Sequence, residues 1–186
     1  MTMLKFTLEI LLLLYFTLGH GGFTHRETED PNFFESKCPK YWVDATEENL
    51  GCLLFNSTSP MTWIDAQNFC SARNDSHLVE IFSQKAQDFI TAEALALELA
   101  SGNIASWWIG LTDLSSRGRW YWSHSLIVAE FTSWIVGQPQ NHYGENYAAM
   151  NSGWGSFNWH DCYHGDYHAN EYVYPLCQFF PPKEKM

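Results

Sequence analysis

Apolar positions change their spacing several times along the chain. Phe6–Leu18 is an almost unbroken apolar run, and residues 24–36 are polar and charged. Trp42-Val43 and Cys52-Leu53-Leu54-Phe55 then flank a polar segment, the layout of a hairpin. Trp63, Ala66, Phe69 and Cys70 recur at helical spacing. They predict a helix with Thr62 as N-cap and Asp65 in its first turn, near the positive end of the dipole. His77–Phe82 alternates like a short strand. Ser83 to about Ala100 predicts a second helix, capped by Ser83 and stopped by Ser101-Gly102. Beyond it the pattern shortens to strand-like pieces rich in Trp and Tyr: Trp107–Leu111, Trp120–Ser123, Tyr147–Met150, Phe157–Asp161 and Tyr174–Phe179. Two helices followed by an antiparallel, loop-rich half is an α+β pattern.

The leading run is about 13 residues, too short for a bilayer that needs about 20. Gly19, Gly21 and Gly22 follow it, so 1–22 reads as a signal peptide despite Glu9. An uncleaved membrane anchor is the weaker alternative. The expected order is then a flexible lead-in over 23–37, a folded domain over 38–180 and a tail over 181–186, with the mature chain secreted and not inserted in a membrane. The formal charge is −11, from 10 basic and 21 acidic side chains, which leaves no basic stripe for nucleic acid. Cysteines stand at 38, 52, 70, 162 and 177. In an oxidising compartment they read as a disulfide framework with one left over. Asn56-Ser57-Thr58 and Asn74-Asp75-Ser76 are candidate glycosylation acceptors.

Residues 157–168, FNWHDCYHGDYH, gather the residue types that bind transition metals. His160, His164 and His168 recur every four positions, near Asp161, Cys162, Asp166 and His142. On a helix they would share a face, but Gly165 interrupts the run and the context is strand-like. Solvated loop histidines are the favoured reading over a zinc site. No nucleophile–base pair is evident, and the chain reads as a binding protein, not an enzyme.

Six ordered features resemble the C-type lectin domain family, in its secreted, single-domain, invertebrate-like form. They are Cys38-Pro39-x-x-Trp42 followed by Cys52; Cys70 on the first helix; His77-Leu78-Val79-Glu80-Ile81; Trp108-Ile109-Gly110-Leu111; Trp134-Ile135-Val136-Gly137-Gln138-Pro139; and Tyr174-Pro175-Leu176-Cys177. The resemblance implies two helices packed on short antiparallel strands with a long loop region, stapled by Cys38–Cys52 and Cys70–Cys177. Trp108, Leu111, Trp120 and Trp122 are expected in the core.

The resemblance also implies a site. The family binds sugar through a calcium ion held by the long loop, a Glu a few residues later and a Trp-Asn-Asp run, with a cis peptide before the loop proline. Gln138, Gln140, Asn141, Glu145, His160 and Asp161 stand at those positions. Gln138 matches the galactose-type pattern and Gln140 matches neither pattern. His160 replaces Asn and is a poor partner for an oxygen-seeking cation. Glu145 and Asp161 are the two carboxylates left as metal ligands, which predicts weak calcium binding, at about 10⁻³ M or worse. The family's partner for Cys162 has become Tyr147, so Cys162 is the odd thiol, with three readings: a buried inert thiol, a bridge to a dimer, or a mispaired alignment. Tyr163–Asn170 reads as a loop insertion. The expected function is a secreted carbohydrate-binding protein, calcium-dependent and galactose-leaning, with a degenerate calcium site and glycans or glycoproteins as partners. The alternative is a calcium-independent C-type-lectin-like protein that binds a protein.

Overall fold

The polar segment after Val43 reverses the chain. Strand β1 (Val43–Ala45) returns as β2 (Gly51–Phe55), antiparallel, with Asp44 opposite Cys52. In this computed structural model the described residues are 37–103, 105–151, 157–163 and 173–182. The expected leader, the lead-in up to residue 36, His164, Asp166, His168, residues 164–170 of the expected insertion and residues 183–186 lie outside them.

Helix α1 (Trp63–Ser71) begins as the sequence predicts. The Thr62 hydroxyl accepts the Asp65 N–H at 3.1 Å and donates to the Asp65 carboxylate at 2.7 Å. Trp63, Ala66 and Cys70 are buried, while Phe69 is half-buried under the Arg73 guanidinium. Helix α2 (Gln84–Ser101) is capped by Ser83, whose side chain accepts the Ala86 N–H, and ends on Gly102 at φ 69°.

The remaining strands are β3 (His77–Leu78), β4 (Ser106–Thr112), β5 (Tyr121–Trp122), β6 (Glu145–Met150), β7 (Trp159–Tyr163) and β8 (Val173–Phe179). Their order is β1-β2-β8-β4-β6-β7, with β3 also on β8 and β5 also on β4. Two features differ from the sequence reading. Strand β3 stops at Leu78, because the Glu80 N–H turns to the Gln178 side chain at 3.0 Å. The Glu80 carboxylate takes the His124 and Ser125 N–H groups at 3.0 and 2.9 Å. Strands β4 and β8 run parallel, with Trp107 beside Tyr174, so the sheet is mixed rather than wholly antiparallel.

Strand alternation on β4 builds two cores. Trp107, Ile109 and Leu111 face Ile90 and Ala94 of α2, together with Trp120, Trp122 and Trp159. Trp108 faces Trp63, Ala66 and Cys70 of α1. The expected core role of Trp108, Leu111, Trp120 and Trp122 holds, and the buried indoles of Trp63 and Trp108 donate to the Ile109 and Met61 carbonyls. Gly110 is required where the chain after β3 crosses β4: a Cβ there would lie 2.9 Å from the Leu78 carbonyl oxygen. Disulfides join Cys38 to Cys52 and Cys70 to Cys177, the pairings expected, the second tying α1 to β8 across 107 positions.

Candidate functional site

Trp159 sets the position of everything around it. It is fully buried, its indole N–H donates to Gln87 Oε1 at 2.7 Å, and the Gln87 amide donates back to the Phe157 carbonyl at 3.0 Å. Its ring meets Trp122, Phe131 and Trp134 edge to face. Residues 133–135 run along its outer side: Trp159 N–H donates to the Ser133 carbonyl, and Ile135 N–H donates to the Trp159 carbonyl. The chain therefore enters the long loop beside β7, two residues from Asp161.

The loop opens with Gln138 N–H donating to the Ile135 carbonyl and a cis Gln138–Pro139 peptide, as the resemblance implied. Asp161 then grips it. The carboxylate is 5 % exposed, and its two oxygens accept the Gln140 N–H at 3.0 Å and the Asn141 N–H at 2.6 Å. Gln138 Oε1 shares the Gln140 N–H at 3.1 Å, and the Asn141 side-chain amide donates to the Pro139 carbonyl. Asn141 sits at φ 54°, a left-handed conformation that asparagine tolerates better than most residues.

The carbonyl side of Asn141 is held by a cation. Arg117 donates through both Nε and Nη2 to the Asn141 carbonyl oxygen. Arg117 rides on a turn fixed by Asp113, which is 1 % exposed and accepts the Gly118 N–H at 2.7 Å and the Asn146 side-chain amide at 2.8 Å. Asn141 is thus grasped at its N–H by a carboxylate and at its C=O by a guanidinium.

The remaining expected site residues fall elsewhere. Glu145 closes the far end of the loop, where its Oε2 accepts the His142 N–H at 3.1 Å and lies 3.8 Å from His142 Nδ1. Gly144, at φ 93°, lies against the Tyr163 ring, and a Cβ there would sit 2.7 Å from it. His160 pairs with Ala149 in the β6–β7 ladder, and alternation places it on the face opposite Asp161. Contacts therefore bring Gln138, Gln140, Asn141 and Asp161 together, and leave Glu145 and His160 outside that group.

These donors do not compose a calcium cage as they stand. Calcium takes about 6–8 oxygens. Only Glu145 and Asp161 supply carboxylates, and three of their four oxygens already accept loop N–H groups. Among the described residues no group of three or more His, Cys, Asp or Glu is placed to hold a metal ion.

Tyr147 and Cys162 face each other across the β6–β7 register, where the family places a second half-cystine. Both are 6 % exposed, and the Tyr147 ring stacks obliquely on Trp63 at 4.7 Å. Burial, then Tyr121, pushes the Tyr147 phenol pKa up. Sequence reasoning missed Arg117, Asp113, Asn146 and Gln87. Asp113 with Gly118 five residues on is a recognisable turn pattern, but nothing local marks Arg117 as a partner of residue 141.

Comparison with known proteins agrees with this architecture. A family profile described as "Lectin C-type domain" matches residues 59–179. Human lithostathine-1-beta is 28% identical over 157 residues, which cover 84% of this chain and 88% of that protein. The mouse low affinity immunoglobulin epsilon Fc receptor is 34% identical over 127 residues, covering 68% of this chain but 33% of the receptor. Among solved structures, the mouse scavenger receptor C-type lectin carbohydrate-recognition domain aligns with TM-score 0.62 and 28% identity, over 80% of this chain and 100% of that one. The cow CD23 C-type carbohydrate-recognition domain, solved in the presence of a GlcNAc2Man3 oligosaccharide, aligns with TM-score 0.60 and 27% identity, over 78% and 98%. The chain belongs to the C-type lectin domain family.

Proposed function

We propose that this chain is a secreted carbohydrate-binding protein whose sugar site is the long loop Gln138–Glu145 backed by Asp161. The loop is held in shape by protein groups, and calcium adds only a weak contribution at Glu145 and Asp161, at about 10⁻³ M. The observation that carries this reading is the double acceptance of loop N–H groups by the buried Asp161 carboxylate. With the backbone already pinned, the Gln140 side chain and the Gln138 amide nitrogen are available for sugar hydroxyls, which both donate and accept. Gln138 gives the site its galactose leaning. Residues 1–22 are read as a cleaved leader, and Asn56 and Asn74 as glycosylation acceptors on the secretory route. Cys162, buried against Tyr147, is read as an interior thiol rather than a bridge to a second copy.

The test is retention of the mature chain on galactose and mannose matrices, with calcium and with a chelator. Retention on galactose that survives the chelator and is lost in Asp161→Ala is expected. Retention that the chelator abolishes would restore a metal-centred site, and no retention on any sugar would overturn the reading.

A second reading has its own observation. Val136 is fully exposed and Tyr143 is 87 % exposed, and they flank the loop as apolar groups. Such side chains suit a protein partner. Capture of a partner that persists after the partner is deglycosylated, with all sugar matrices blank, selects this alternative.

A further inference from the structure

On the other side of the turn that carries Arg117 lies a pocket of about 310 Å³, lined by Ser115, Ser116, Arg119, Tyr121, Leu126 and Val128. We propose that it is a second ligand site, which takes a carboxylate-bearing sugar residue. None of its lining residues belongs to the long loop, so the proposal does not rest on the reading above.

Both walls are built by backbone hydrogen bonds. Asp113 fixes the turn wall through the Gly118 N–H, and the Ser116 and Arg119 N–H groups donate to the Asp113 and Ser116 carbonyls at 2.9 Å each. The facing wall is a hairpin in which Tyr121 bridges to Val128, while Ala129 N–H donates to the Trp120 carbonyl at 3.0 Å. At its tip Leu126 adopts φ 61° and is 73 % exposed. A non-glycine residue in that region is uncommon and costs energy. Here the cost holds an apolar side chain at the pocket, in solvent.

The lining chemistry selects the ligand. The chain has 21 acidic and 10 basic side chains, yet the Arg119 guanidinium makes no hydrogen bond or ion pair with any described residue. A planar guanidinium offers a bidentate fork to a carboxylate. Tyr121, Leu126 and Val128 present apolar surface to the C–H face of a pyranose ring, and Ser115 and Ser116 offer hydroxyls to its substituents. The volume lies near the lower end of the about 300–1,000 Å³ of ligand pockets, which suits one sugar residue rather than an oligosaccharide.

The experiment is a titration of the ¹⁵N-labelled mature chain, followed by amide shifts, with N-acetylneuraminic acid, its methyl ester, acetate and galactose. The free acid is expected to shift amides at 115–128. The methyl ester and the Arg119→Ala variant should each bind about tenfold more weakly, the loss of one charge-assisted pair. Acetate should bind more weakly than the acid sugar, and galactose should leave the amides of the six lining residues unmoved, Arg117 being outside the lining. An unchanged spectrum elsewhere establishes that Arg119→Ala is folded, and Arg119→Lys should recover only part of the affinity. Absence of shifts at 115–128, equal affinity for the ester, or acetate binding as tightly as the acid sugar would each overturn the proposal. Asp161→Ala separates the two sites: it should remove neutral-sugar retention and leave the acid-induced shifts at 115–128 intact.

Discussion

Replacing Asp161 with Asn changes one oxygen to nitrogen and leaves the volume nearly unchanged. In the wild type the buried carboxylate accepts the Gln140 and Asn141 N–H groups at 3.0 and 2.6 Å. Hydrogen bonds to a charged group contribute about 1.5–3 kcal/mol each, so the pair holds the loop by about 3–6 kcal/mol. The asparagine amide keeps one neutral acceptor, at about 1 kcal/mol, and turns an NH₂ toward the other N–H. The loop should therefore lose about 2–5 kcal/mol of protection against opening, which is about 30-fold to several thousandfold in rate. Amide hydrogen exchange reads this directly. The Gln140 and Asn141 amides should accelerate by that factor, while Ile135 and Trp159, bonded along the outer side of β7, keep their wild-type rates. Acceleration of less than about tenfold would refute the clamp, because two charged hydrogen bonds cannot be worth so little in a site 5 % exposed. A chelator that alone accelerates the wild-type loop as much as the substitution does would refute it in another way, by showing that a metal holds the loop.

Arg117→Ala should accelerate exchange in the loop by about tenfold, two charge-assisted bonds to one oxygen weakened by solvent at an exposed position, with little change in the thermal midpoint. His77, buried and stacked on His124 at 3.8 Å, has its pKa lowered from 6.5 to about 4, by burial first and by His124 second. Its neutral form is favoured in the folded state, so its contribution is complete above pH 6.5 and is lost as pH falls toward about 4. The full loss is about 3 kcal/mol; the fall in unfolding free energy from neutral to acid pH, read by urea, should be larger in wild type than in His77→Gln by that amount, and equal falls would refute it. Removing the Cys70–Cys177 bridge as a double serine variant, which frees a loop of 107 positions, should cost about 4–5 kcal/mol in chemical denaturation.

Much of the fold was legible because local chemistry and tertiary need coincide there. Thr62 with Asp65, Ser83 and Gly102 mark helix ends by satisfying or terminating backbone groups within a few residues. Tryptophans at 107, 108, 120, 122 and 159 mark the core because no other environment takes so much apolar area. The errors lie where a distant group overrides the local pattern. His77–Phe82 alternates like a strand, yet Gln178 claims the Glu80 N–H from 98 positions away. Phe157 reads as a strand start, but its φ of 49° is left-handed rather than extended, and β7 begins at Trp159 and runs on to Tyr163. The parallel β4–β8 pairing has no local signal, since the two strands are separated by the whole second half of the domain.

The site was legible as a set of positions and not as a set of interactions. The family resemblance implied that Gln138, Gln140, Asn141 and Asp161 share one loop and its backing strand, and the structure brings those four together. What a side chain holds is a separate question from where it stands. A carboxylate at 161 is equally able to face a cation or two backbone amides, and the choice depends on whether the loop N–H groups have other partners. Here the Gln140 N–H is shared with Gln138 Oε1, the Asn141 N–H goes to Asp161, and Arg117 holds the Asn141 carbonyl on the other side of the residue. Arg117 lies 24 positions upstream of the residue it holds, on a turn fixed by Asp113, so no window around residues 138–145 could have contained it. The loop keeps its shape through protein groups alone, with Asp161 on its N–H groups and Arg117 on the Asn141 carbonyl.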